Sequence, residues 1–95
     1  MSAVIDTAVV QLSAKMADGF DGLAKFVIEG EGAIMLYASG ARAADEDADV
    51  TMTASVEVFK AILDGDMNPT MAFMTGKLKI DGSMGQAMKL ASALS

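Results

Sequence analysis

GDMNPTMAFMTGKLKIDGSMGQAMKL, residues 65–90, sets three punctuated elements side by side and decides how the rest of the chain is read. Asn68-Pro69 is a helix start: the Asn side chain caps free backbone N–H groups, and Pro at the first helical position gives up an N–H that has no partner there. Lys77-Leu78-Lys79-Ile80 alternates polar and apolar, the period of a half-buried strand. After an expected Asp81-Gly82 turn, Ser83 followed by Gln86 is a capping box that opens a second helix. The stretch holds the only proline and five of the nine methionines, yet no residue an enzyme would obviously use.

Working outward, 95 residues make one domain, here 1–95. Hydrophobic residues are 53% of the chain, but aromatics only 5% and tryptophan absent, so the apolar content is aliphatic and thioether. No apolar run approaches the roughly 18 to 20 residues of a membrane-spanning helix, so no stable membrane insertion is expected. MSAVID carries no basic leader and ASALS no Ser-Lys-Leu-type ending; the expected location is the cytosol. With no cysteine and no histidine, thiolate chemistry, disulfides and the usual neutral-pH general base are excluded. Residues 1–65 hold eleven acids against four bases, and residues 66–95 two against three. A chain of net charge −6 with one arginine is a poor match for nucleic acid. No cofactor and no metal is called for.

In chain order, Ile5, Ala8, Val9, Leu12 and Met16 form one helical stripe, with Asp6 near the positive end of the dipole, Lys15 near the negative end and a stop at Asp18-Gly19. Leu23–Glu29 and Ala33–Ser39 flank Gly30-Glu31-Gly32 as an antiparallel hairpin. Ala24, Phe26 and Ile28 share one face of the first strand. The second is apolar on both faces, Ile34, Leu36 and Ala38 against Met35, Tyr37 and Ser39. Such a strand needs cover on both sides, helices on one and a ligand or second chain on the other. Gly40–Asp49 is a solvated acidic loop. As a calcium loop counted from Asp45 it puts Val50 where glycine belongs and Val56 where glutamate belongs, so the metal reading fails. Val50–Ala54 is a strand with one buried face, and Ser55 caps a short helix whose stripe is Val58, Phe59, Ile62 and Leu63, ended by Gly65. The last helix places Met84, Ala87, Met88, Ala91 and Leu94 together. The order is α-β-β-β-α-α-β-α.

Asn68-Pro69, Ala72-Phe73, Gly76-Lys77-Leu78-Lys79-Ile80, Gly82, Met84-Gly85 and Ala87-Met88-Lys89-Leu90 form an ungapped block, NPxxAFxxGKLKIxGxMGxAMKL. It resembles the C-terminal half of the sterol carrier protein type two lipid-binding domain. Looser agreement runs back through Ala48–Thr53 and the helix ending at Gly65; the first forty residues match only in the order of elements. The resemblance implies an α/β (α+β) fold, with helices over a four- to five-stranded, mainly antiparallel sheet and a hydrophobic tunnel for sterols, fatty acyl chains or phospholipids. Periodicity yields four strands. The fifth is either a short edge strand within 40–49 or lost in the shortening of that region.

A tunnel needs apolar wall beyond what a core uses, and methionine suits it by being flexible and polarisable. Met35, Met52, Met71, Met74, Met84 and Met88 are the candidate lining. Phe59, Leu78 and Ile80 are carried with them, although Phe59, Leu63, Phe73, Leu78 and Ile80 taken singly read as plain core. Burying ten methylenes contributes roughly 8 kcal/mol, at about 0.8 each. Association costs about 4 kcal/mol or more, leaving the modest affinity a carrier needs. Lys77, Lys79 and Lys89 face either a lipid headgroup, coenzyme A phosphate included, or only solvent. The expected function is therefore a non-enzymatic carrier of a sterol, fatty acid, acyl-CoA or phospholipid. The alternative is an accessory or self-associating module, a homodimer included, whose methionine face is an interface presenting a lipophilic substrate to a partner enzyme. Tyr37, Lys77, Lys79, Asp81 and the acidic loop form no recognisable nucleophile–base pair, so catalysis is not expected.

Overall fold

The computed structural model describes residues 3–15, 20, 22–38 and 40–94. Four helices, α1 (Ala3–Lys15), α2 (Val56–Asp64), α3 (Pro69–Met74) and α4 (Met84–Leu94), pack on five strands, β1 (Ala24–Ile28), β2 (Gly32–Tyr37), β3 (Gly40–Ala43), β4 (Val50–Ala54) and β5 (Leu78–Gly82). The sheet runs β3-β2-β1-β4-β5. Only the β1–β4 pairing is parallel; β1–β2, β2–β3 and β4–β5 are antiparallel. The expected mainly antiparallel α+β sheet is therefore present, and the fifth strand is a short edge strand at the start of the acidic region.

Strand alternation sorts the sheet into two unlike faces. Across one row Ala43, Ile34, Phe26, Met52 and Ile80 stand side by side in register. Phe26, Ile34 and Met52 are fully buried there, under Ile5, Ala8 and Leu12 of α1, Phe59 and Ile62 of α2, and Ala87, Leu90 and Leu94 of α4. The Phe26 and Phe59 rings meet edge to face at 4.5 Å, which adds about 0.5–1.5 kcal/mol to their area burial. The next row, on the other face, reads Arg42, Met35, Lys25, Thr51 and Asp81.

Met35 is nevertheless fully buried. The chain leaves β3 beside the start of β2, where Ala44 N–H donates to the Ala33 carbonyl, and arrives before β1, where Asp49 N–H donates to the Leu23 carbonyl. Between these points residues 44–49 cross the helix-free face as a strap, held by Lys25 Nζ at 2.8 Å from Asp45 Oδ1. Arg42 pairs with Glu46 and lies over the Tyr37 ring at 5.6 Å. The second cover that β2 demands is thus this chain's own strap, and the solvated loop of the sequence reading has a structural job.

Local signals in the opening stretch hold with small shifts. Asn68 Oδ1 accepts from the Thr70 and Met71 N–H groups, and Ser55 Oγ accepts from Val58 N–H. Gly65 closes α2 in the left-handed conformation, φ 83°. Ser83 Oγ accepts from Gln86 N–H at 3.3 Å, but the return arm of the capping box is not made. The Ser83 N–H is already given to the Asp49 carbonyl, and the Gln86 side chain lies instead against Gly22. Asp81 and Gly82 are the end of β5 rather than a turn. Met16, the Asp18-Gly19 stop and Ser39 lie outside the described residues.

Candidate functional site

Helix geometry divides the candidate lining residues into three places. Met52, Phe59 and Leu78 are buried in the core between sheet and helices, with Ile80 half-buried beside them. Met35 is on the opposite face of the sheet under the strap, so it shares no space with Met52. Met71, Met74, Met84 and Met88 stand on the outside of α3 and α4, exposed to between 46% and 73%.

The exposure of that last set follows from which side chains anchor each helix. On α3 the buried residues are Pro69 and Ala72, one turn apart, so Met71 and Met74 are directed away from β5. Phe73 is also exposed, at 39%, against the expectation that it is core. On α4 the buried stripe is Ala87, Leu90, Ala91 and Leu94. Ala87 and Ala91 let the helix lie close to β4, Leu90 and Leu94 fill the space beside them, and the stripe rotates away from Met84 and Met88. Five of the six large apolar side chains exposed among the described residues therefore belong to α3 and α4; the sixth is Val10.

A groove of about 210 Å³ lies elsewhere, between α1 and α2. Its floor is Ala8, Phe59 and Leu63, all buried, and its rim carries Val4, Thr7 and Gln11 of α1 opposite Lys60 of α2. Of the candidate lining residues it includes Phe59 alone. Its volume is below the roughly 300–1,000 Å³ usual for small-molecule sites. A second hollow, about 250 Å³, opens between Ile5, the β1–β2 turn and the strap. Thr7 and Gln11 recur one turn apart beside the apolar stripe of α1, the only trace of the groove in the sequence. Which helix lies opposite them is a tertiary fact that no periodicity records.

Lys77 and Lys79 are exposed, and Lys79 stands on the strap side of the sheet, in register with Thr53. Tyr37 is covered by Arg42, and Asp45 and Glu46 are engaged with bases. None of these groups reaches the groove. No helix among the described residues is long and apolar enough to cross a membrane.

The molecule is thus a mixed sheet with a helix layer on one face, and large apolar side chains stay exposed on α3 and α4. The profile of the SCP-2 sterol transfer family matches residues 6–95, and the chain belongs to that family. Human sterol carrier protein 2 is 54% identical over 46 residues, 48% of this chain; the match spans 8% of that protein's length. The solution structure of sterol carrier protein domain 2 from Helicoverpa armigera is 28% identical with a TM-score of 0.75, over 96% of this chain and 84% of that one. The Aedes aegypti sterol carrier protein-2, solved in complex with palmitate, has a TM-score of 0.77 at 19% identity, over 100% of this chain and 97% of that one. At that identity the likeness establishes the fold, five-stranded sheet and helix layer together.

Proposed function

We propose that this chain is a non-enzymatic lipid-binding and transfer domain that holds a fatty acyl chain, sterol or phospholipid against its helix layer, with Met71, Met74, Met84 and Met88 among the side chains the ligand covers. One observation carries the reading: α3 and α4 keep five large, mostly flexible apolar side chains in water, beyond what the core uses. Family membership and the palmitate bound by the Aedes aegypti relative support it. Covering one such methionine is worth about 1 kcal/mol, so several together give affinity without locking the ligand in.

Titration of the protein, labelled at its methionine methyls, with palmitate below its micelle concentration tests this. Shifts should concentrate at Met71, Met74, Met84 and Met88 and leave Met35 unmoved. Met74→Gln should weaken palmitate about fivefold, the equivalent of about 1 kcal/mol, and change unfolding stability by less than about 0.5 kcal/mol because the side chain is exposed. Saturation with no movement at these methyls would remove them from the site.

The same exposed side chains favour a second reading, a self-associating accessory module in which they face another copy. Light scattering separates the two: a lipid-independent dimer whose formation excludes palmitate supports the module, and a monomer that binds palmitate supports the carrier.

A further inference from the structure

Methionine is divided unevenly between the inside and the outside of this molecule. Four of the six large apolar side chains exposed among the described residues are methionines, against two of the 23 buried hydrophobic ones. Met71 and Met74 lie one turn apart on α3, Met84 and Met88 one turn apart on α4, and the two helices pack together. α3 has no charged residue and α4 only Lys89, so the polarity of this surface depends on its thioether side chains. Leucine would present similar apolar area at each position. Only methionine can also change polarity in place, because oxidation turns its apolar thioether into a polar sulfoxide. Exposure governs that reaction, and the chain has no cysteine thiol to react first. We infer that Met71, Met74, Met84 and Met88 form a reversible sulfoxidation site for hydroperoxides, which turns the α3–α4 surface from apolar to polar while the core stays folded. In each step a sulfur lone pair takes one peroxide oxygen, so that the O–O bond breaks and an S–O bond forms. Sulfur is oxidised by two electrons, and hydrogen peroxide is reduced to water. A dithiol, acting through methionine sulfoxide reductases, reverses the step: it becomes a disulfide, and the sulfoxide oxygen leaves as water.

The site stands on exposure and sulfur chemistry; only its consequence, release of an apolar ligand, rests on the lipid-binding reading. The folded protein is treated with hydrogen peroxide, and peptide mass spectrometry follows each methionine. Met71, Met74, Met84 and Met88 should gain oxygen at least about tenfold faster than Met35 and Met52, which react only when the molecule opens. The urea midpoint should stay unchanged, retention on a phenyl resin should fall, and palmitate should bind about tenfold more weakly. Incubation with the reductases for both sulfoxide epimers and a dithiol should restore retention and affinity. The combined Met71→Leu, Met74→Leu, Met84→Leu and Met88→Leu variant should show the same retention before and after peroxide. Oxidation spread evenly to Met35 and Met52, a lowered urea midpoint, or retention indifferent to the four sulfoxides would overturn the site. Reduced protein that fails to bind palmitate, with retention still falling on oxidation, would leave the site standing and remove the carrier reading.

Discussion

Gly82 shows most sharply how one residue is fixed by its neighbours. Its φ is 100°, and a Cβ there would run into the Asp49 carbonyl oxygen, which also receives the Ser83 N–H. Gly82→Ala therefore combines backbone strain with a clash against main chain that cannot turn aside. It should cost about 3 kcal/mol, read as a lowered urea midpoint with an unchanged slope. Gly65→Ala, left-handed but with open space around it, should cost only about 1 kcal/mol in the same experiment. Signals of this local kind were legible in the sequence: Asn68, Pro69, Ser55 and Gly65 each act on backbone within a turn of themselves. Met84 and Met88 were not. A helical stripe read from periodicity fits 84, 87, 88, 91 and 94 as well as 87, 90, 91 and 94, and only the close approach of Ala87 and Ala91 to β4 chooses between them. Phe73 misled for the same reason, since α3 is anchored by the smaller Pro69 and Ala72.

Among the elements, β3 and the strap are the least expected pair. Gly40–Ala43 has small residues and no alternation, so its strand character comes from pairing with β2 and not from its own sequence. The strap that follows is tied by ion pairs with exposed acids, and such pairs are weak. Asp45→Asn should lower stability by less than about 1 kcal/mol, with the difference shrinking as salt is raised. Met35→Ser, which leaves a polar group and lost volume beneath the strap, should cost about 2–5 kcal/mol. A chemical-denaturation series of the two variants at low and high salt checks both. The need for a second cover over β2 was readable from its two apolar faces; that the chain itself supplies it was not, because a run of small and acidic residues carries no contact information. The α1–α2 groove was illegible for a related reason: it belongs to neither helix.

At the scale of the molecule, the fold rests on an arrangement in which neighbours in space are not neighbours in sequence. β4 lies beside β1, parallel to it, although β2, β3 and the strap come between them in the chain. The block from Asn68 to Leu90 gave the fold away because it spans β5 and the two helices that close on it. The first half has no such density of signal, and its topology had to come from the structure. The parallel placement has a consequence during synthesis. While the ribosome has delivered only the first half of the chain, β1 can pair with β2 but has nothing on its other side. An apolar strand, Ala24 to Ile28, then presents a row of unpaired N–H and C=O groups to every other nascent copy. A fragment ending at residue 49 should accordingly form β-rich aggregates at micromolar concentration, and one ending at residue 64 far fewer, with turbidity as the measure. Translation from Val50 to Ala54 is the interval that removes the hazard, so a pause placed before those codons should lower soluble yield more than the same pause placed after them.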